Sequence, residues 1–203
     1  MPSTYQEIPA LPVVVPLAAV ALAVLLWRLH RRAALTVPRA VVSAAVCVYG
    51  AGVIANTLLP IPLGKGGGGL PWWSTLNLVP LVGTEPFDML QNVVVFVPLG
   101  FLLPLVARVA SLPRVLLWGF LVSLTMEALQ FLNSVTVHGG HASDVNDLLA
   151  NTVGAPIGYA IFRLALLVPA LCQWAGSATW PIPPREEPVG PGRQATSVRA
   201  PAR

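Results

Sequence analysis

Charge is what this sequence has least of. Of its 203 residues, Lys and Arg supply 12 and Asp and Glu supply 8, which is 10% in all. A domain bathed in water carries roughly 25% charged residues. So few charges cannot clothe a solvated surface of this size, and an ordinary cytosolic enzyme is excluded with it. Cysteine is as scarce. Cys47 and Cys172 have no CxxC spacing and no nearby histidine, so there is no disulfide scaffold, and both read as small side chains in or beside apolar blocks. No internal repeat is visible, and the composition fits neither collagen nor a disordered chain.

What is present is hydrophobic. Such residues make up 55% of the chain, and the mean hydropathy is +0.72. They come in long blocks parted by short polar stretches. A net charge of +4 could suggest nucleic acid, but the basic residues sit at the ends of the apolar blocks, where membrane topology needs them. No nucleic-acid partner is expected.

A transmembrane helix needs about 20 mostly apolar residues, since about 30 Å of hydrocarbon is crossed at about 1.5 Å per residue. Five blocks approximately qualify: 11–27, 40–59, 89–109, 115–132 and 147–169. The expected fold class is all-α, a polytopic membrane helix bundle of about five transmembrane helices. The first block is the shortest and holds Pro12 and Pro16, so its full crossing is open at this point. Proline is tolerated in a membrane helix where neighbours or water satisfy the freed carbonyl. Residues 1–10 contain Glu7 and no Lys or Arg, while arginines follow the apolar run, so a retained span is expected rather than a cleaved signal peptide.

Basic residues favour the cytoplasmic side. Arg28, Arg31, Arg32 and Arg39 lie between the first two blocks; Arg108 and Arg114 flank the turn between the third and fourth. Arg163 ends the fifth, and the tail holds Arg185, Arg193, Arg199 and Arg203. With the N-terminus outside and the C-terminus inside, eleven of the 12 basic residues share one side and Lys65 alone is opposite. Three segments follow: a first helix with its basic cytoplasmic loop (1–39), a membrane domain (40–170), and a proline-rich tail (171–203) expected to be disordered and cytoplasmic. The run Gly64-Lys65-Gly66-Gly67-Gly68-Gly69 reads as flexible outer loop; no strand precedes it and no Ser or Thr follows the Lys, so it is no P-loop. Trp72 and Trp73 suit a membrane-interface anchor.

Polar residues converge at the outer leaflet in this arrangement. The third span opens with Asp88, Gln91 and Asn92; Asp88, Asn92 and Phe96 share a face. Glu127 and Gln130 lie one turn apart near the outer end of the fourth. Positions 144, 147, 151, 154 and 158 alternate spacings of three and four, marking one helix face that carries Asp144, Asp147, Asn151, Gly154 and Gly158. The Gly154-x-x-x-Gly158 portion would let another helix approach closely. Ionisable groups at membrane depth usually face a protein interior or a wet cavity. Asp144 and Asn146 fit helix-capping or first-turn roles, whereas a carboxylate inside Leu-Thr-Met-Glu-Ala-Leu-Gln-Phe needs a partner or a proton.

Two chemistries are weighed against plain helix glue. His138 and His141 with Asp144 and Asp147 could complete a zinc-like shell, but a glycine-rich loop lacks rigid ligand placement, and metal is the weaker reading. Glu127, Asp144 and Asp147 could act as acid, base or ligands in a membrane-embedded enzyme. No Ser-His-Asp or Cys-His arrangement is visible, and Ser143 reads as a cap, so the residues lean away from an enzyme. No cofactor is implied.

Four motifs stand in order over roughly residues 40–165: Asn77-Leu78-Val79-Pro80, the stretch from Asp88 to Gly100, Glu127-Ala128-Leu129-Gln130, and the stretch from Asp144 to Gly154. Together they resemble the VanZ-like family of bacterial membrane proteins. One departure is Gly140-His141, where the family pattern usually has Gly-Arg; if that basic group meets an anionic headgroup, His141 would do so only when protonated. The resemblance implies a multi-pass protein of the bacterial cytoplasmic membrane. In the founding member it implies low-level resistance to lipophilic glycopeptides such as teicoplanin. The ligand-binding set expected is Asn77, Asp88, Asn92, Glu127, Gln130, His141, Asp144, Asp147 and Asn151. Its expected occupant is a membrane lipid, a lipid-linked envelope precursor or a membrane-protein partner. The alternative is an enzyme acting on a lipid or a lipid-linked phosphate or sugar.

The orientation is open to direct test. In a background with Cys47 and Cys172 replaced, single cysteines at Lys65 and at Arg185 should differ in intact cells. An impermeant thiol reagent labels the first and spares the second; equal labelling of both refutes the arrangement.

Overall fold

The computed structural model of the chain describes residues 6–59, 61–63, 73, 76–83, 85–137 and 143–181. Helices dominate because a chain inside hydrocarbon must satisfy every backbone N–H and C=O within itself. Helix α1 (Ala10–Arg31), α2 (Val37–Leu58), α3 (Pro86–Val106), α4 (Leu112–Val137) and α5 (Val145–Ala165) are each long and apolar enough to cross a membrane. A shorter α6 (Pro169–Ala178) follows. The five expected spans are therefore present, with ends displaced by a few residues.

Local chemistry sets those ends. Proline stands in the first turn of α2, α3 and α6, where its missing N–H has no intrahelical acceptor to lose. Pro16 lies inside α1, which nonetheless runs unbroken for 22 residues. The α1 C-terminus closes with Ala34 N–H donating to the Leu29 carbonyl and Ala33 N–H to that of His30. Ala33 takes a left-handed φ of 49° there, the cap geometry more often given to glycine.

The tail expectation needs correction at its start. Residues 171–178, expected to open a disordered tail, belong instead to α6 (Pro169–Ala178). A helix of 10 residues is too short to span a bilayer and so escapes a reading tuned to blocks of about 20. It is tied down: the Arg39 Nε donates to the Thr179 carbonyl at 3.1 Å, and the Trp180 backbone N–H donates to that of Leu105 at 2.9 Å. Residues 182–203 and the Gly64–Gly69 run lie outside the described residues.

Helices α3 and α5 run parallel at the centre, with α4 packed antiparallel against α5 and α2 against α3, α4 and α6. Helix α1 leans chiefly on α2. Glycines set the central spacing. A Cβ placed on Gly158 would stand 1.8 Å from the Val97 carbonyl oxygen, one on Gly154 2.2 Å from that of Val93, and one on Gly100 1.8 Å from that of Ala155. Leu103, Leu105, Val115, Tyr159 and Phe162 complete the core toward the far end. Large apolar side chains such as Leu17, Val48, Val94, Leu117 and Ile161 point outward, as lipid-facing residues do.

Two short sheets gather the chain at the opposite end. Strand β1 (Gln6–Ile8) pairs antiparallel with β2 (Ile61–Leu63), joining the approach to α1 with the exit from α2. Strand β3 (Leu76–Asn77) pairs parallel with β4 (Ser143–Asp144) in the register Leu76↔Ser143 and Asn77↔Asp144. The bundle is polar in charge as a result. Glu85, Asp88, Glu127, Asp144 and Asp147 belong to the sheet end, and Arg28, Arg31, Arg32, Arg39, Arg108, Arg114 and Arg163 to the other.

Gly154→Ala and Gly158→Ala should each lower stability by about 1–3 kcal/mol, the range for overpacking a filled core. Gly50→Ala and Gly52→Ala, which meet nothing within 4 Å, should be neutral or slightly stabilising. Thermal unfolding of purified protein in detergent measures both pairs, and equal behaviour would contradict the close approach.

Candidate functional site

Helix α5 begins where the polar groups meet. Asp144 is its N-cap, and the Asn146 N–H donates to Asp144 Oδ1 at 2.8 Å. The capping role read for Asp144 is thus met in the structure. Asp144 and Asp147 stand at N-cap and N3, the spacing of a capping box, in which the N3 side chain reaches back to the N-cap N–H. Here a different helix supplies that group. Glu127 of α4 accepts from the Asp144 N–H at 2.9 Å and from the Ser143 hydroxyl at 3.0 Å, both on Oε2. Aspartate is one methylene shorter than glutamate, and Asp147 points elsewhere.

Its partner is on α3: Asn92 Nδ2 donates to Asp147 Oδ1 at 2.5 Å. One turn on, Asn151 is 2% exposed, and its Oδ1 has no partner among the described residues. On the other flank, Asn77 Nδ2 donates both to Asp144 Oδ2 at 3.0 Å and to the Val82 carbonyl at 3.1 Å. Asn146 is fully buried and accepts from the Leu81 N–H at 2.6 Å. Leu81 holds a left-handed φ of 62°, so this bond pins an unusual turn against the start of α5.

The site thus joins α3, α4, α5 and the strand β3 with its following turn. Direct hydrogen bonds join Asn77 and Glu127 to Asp144, and Asn92 to Asp147 one turn further along α5. Asn151 lies beneath them. Asp88 stands exposed one turn before Asn92, and Gln130 half-buried one turn after Glu127. His138 and His141 lie outside the described residues. Among the described residues no three His, Cys, Asp or Glu side chains are placed to hold a metal ion.

Ser143 and Asn146 do more than their sequence suggests. Ser143, expected to cap a helix, supports Glu127, bonding its carboxylate and, at 3.2 Å, its main-chain carbonyl. Asn146, expected in a capping or first-turn role, fixes the Leu81 turn. Both partnerships reach across 16 residues or more, and no local pattern announces them. Chemically, the cluster is rich in acceptors. Each of Glu127 and Asp147 commits one oxygen inside the protein and keeps its second without a hydrogen bond among the described residues. Such a set can receive a cation, a hydroxyl or an ammonium group.

A double-mutant cycle on Asn92→Ala and Asp147→Ala should give a coupling of about 0.6–1.7 kcal/mol, the range for membrane side-chain hydrogen bonds. Reversible unfolding in a bilayer mimetic measures it. Additive single effects would show that the contact carries no energy.

The family model described as VanZ/LLP1 matches residues 46–167. Protein VanZ of Enterococcus faecium is 33% identical over 93 residues, 45% of this chain and 54% of that protein. The chain thus spans about half the length of the curated relative it matches. No solved structure matches. The family match runs from within α2 to just past α5 and holds every residue of the cluster, and because it takes in more than half of the sequence, the chain belongs to the VanZ/LLP1 family.

Proposed function

We propose that this chain is a non-enzymatic factor of the bacterial cell envelope, seated in the cytoplasmic membrane with its N-terminus outside and its C-terminus inside. Its carboxylate–amide cluster then opens toward the outer leaflet. There it binds the polar group of a lipid, a lipid-linked envelope precursor or a membrane-protein partner. The name of its relative, Protein VanZ, supports an effect on susceptibility to lipophilic glycopeptides such as teicoplanin.

One observation carries the reading. Glu127 and Asp147 each hold one carboxylate oxygen in a protein hydrogen bond and present the other unbonded among the described residues. Glue alone needs only the bonded oxygens, which an amide would supply without the cost of a charge. The alternative is a membrane-embedded enzyme with Glu127, Asp144 and Asp147 as acid, base or ligands; the structure adds the Ser143 hydroxyl at 3.0 Å from Glu127 Oε2, a hydroxyl beside a carboxylate. That hydroxyl is shared with the Glu127 carbonyl, which suits a support better than a nucleophile.

Glu127→Gln and Asp147→Asn decide between binding and glue. An amide oxygen can still accept from Ser143, from the Asp144 N–H and from Asn92, so the internal bonds survive and only the charge is lost. Each variant, present in the membrane in normal amount, should abolish any change in teicoplanin susceptibility that the wild type confers. Full retention by both would reduce the cluster to structure. Ser143→Ala should leave the effect largely intact; its complete loss at normal abundance would favour the enzyme.

A further inference from the structure

The end of the bundle opposite the cluster has a cleft of its own. It encloses about 120 Å³ and is lined by Arg28, Arg32, Leu25, Leu29, Trp180 and Pro181. Arg28 and Arg32 are exposed and make no side-chain bond among the described residues, unlike Arg39, which is spent on the Ala34 and Thr179 carbonyls. The Trp180 indole Nε1–H is buried and has no partner among the described residues. A buried indole N–H usually finds an acceptor. Here Arg28 and Arg32 line one small space beside the Trp180 ring, and the carboxylates of the described helices belong to the other end. Two exposed guanidinium groups on one cleft call for an anion.

The cleft does not stand alone. Leu25 also lines a groove of about 440 Å³ between α1 and α2, which runs back along α1 to Val14 and is walled by small residues including Ala18, Ala21 and Gly50. From Val14 to Leu25 a helix rises about 17 Å at about 1.5 Å per residue. Half of a hydrocarbon core of about 30 Å is about 15 Å. An apolar channel about as long as one leaflet is deep therefore adjoins, at Leu25, a cleft lined by two cations.

The geometry points to a bound anionic phospholipid, its phosphate between Arg28 and Arg32 beside Trp180 and one acyl chain along the α1–α2 groove. A phosphate takes bidentate bonds from guanidinium well. A free anion would leave the groove without purpose, and a neutral lipid would leave the arginines without one. Because helix α1 leans chiefly on α2, a lipid lodged between the two would also brace the least supported span. This site concerns the opposite end of the bundle and stands whether or not the carboxylate cluster binds anything.

Native mass spectrometry of the full chain, titrated with phosphatidylglycerol or phosphatidylcholine of the same acyl chains, tests it. The wild type should retain phosphatidylglycerol preferentially. Arg28→Gln with Arg32→Gln should weaken retention about 25-fold, roughly fivefold for each arginine near an anionic group. Neither side chain has a partner to lose among the described residues, so the fold should persist. Arg108→Gln with Arg114→Gln removes the same charge from the same end and should leave retention within about twofold of wild type. Ala21→Trp, which fills the groove, should weaken the lipid with both arginines in place. Equal loss in the control pair would overturn the site in favour of diffuse attraction. Undiminished retention in the Arg28/Arg32 variant, or displacement by glycerol 3-phosphate at lipid-equivalent concentration, would overturn it as well.

Discussion

Everything else in this molecule is arranged around the approach of α3 to α5. Between membrane helices there is little hydrophobic force, since lipid tails are as apolar as leucine. Association must come from contact, and contact is closest where side chains are absent. Gly100, Gly154 and Gly158 let the two backbones come so near that a single methyl group at any of them would collide with a carbonyl oxygen. Once α3 and α5 are fixed side by side and parallel, both N-termini lie at one end. Asp88 and Asp147 then occupy the first turns of the two helices, where the helix field favours negative charge. The carboxylate-rich end is in this sense a consequence of the glycine contact.

The same contact explains why Asn92 can meet Asp147. The residue after Asn92 is Val93, whose carbonyl is the atom that Gly154 leaves room for. A bulkier residue at 154 would push α3 outward and carry Asn92 away from α5. Packing and site are thus not separable here. Loss of the asparagine–aspartate bond is an expected secondary effect of any overpacking at the glycines.

Much of this was legible in the sequence because the membrane simplifies the problem. Length and hydropathy suffice for the five long helices when the solvent forbids most other structures. The alternation of threes and fours through Asp144, Asp147, Asn151, Gly154 and Gly158 read correctly as one helix face, buried from Asn151 onward, with the exception that Asp144 is the cap and not part of the helix proper. Helix α6 was hidden, since length is the membrane signal and it has too little. The Glu127–Asp144, Ser143–Glu127 and Leu81–Asn146 bonds were hidden for another reason. Each joins segments that only the completed bundle brings together, and hydrogen-bond partners across a fold leave no periodicity to read.

Glu127 is the residue at which structural need alone gives the weakest account. Asp88, Asp144 and Asp147 each sit at a helix N-terminus, where a carboxylate has a reason to be. Glu127 sits ten residues before the end of α4, far from either terminus of its own helix and 6% exposed. A helix field does not reach it, because the effect fades within the terminal turns. It is there instead as the missing member of another helix's cap, taking the N-cap N–H that Asp147 leaves free. A glutamine could take that N–H equally well and without the expense of burying a charge. The presence of an acid where an amide would satisfy every bond shown is therefore the feature that structure leaves over, and it places the burden of explanation on the one oxygen of Glu127 that has no hydrogen bond among the described residues.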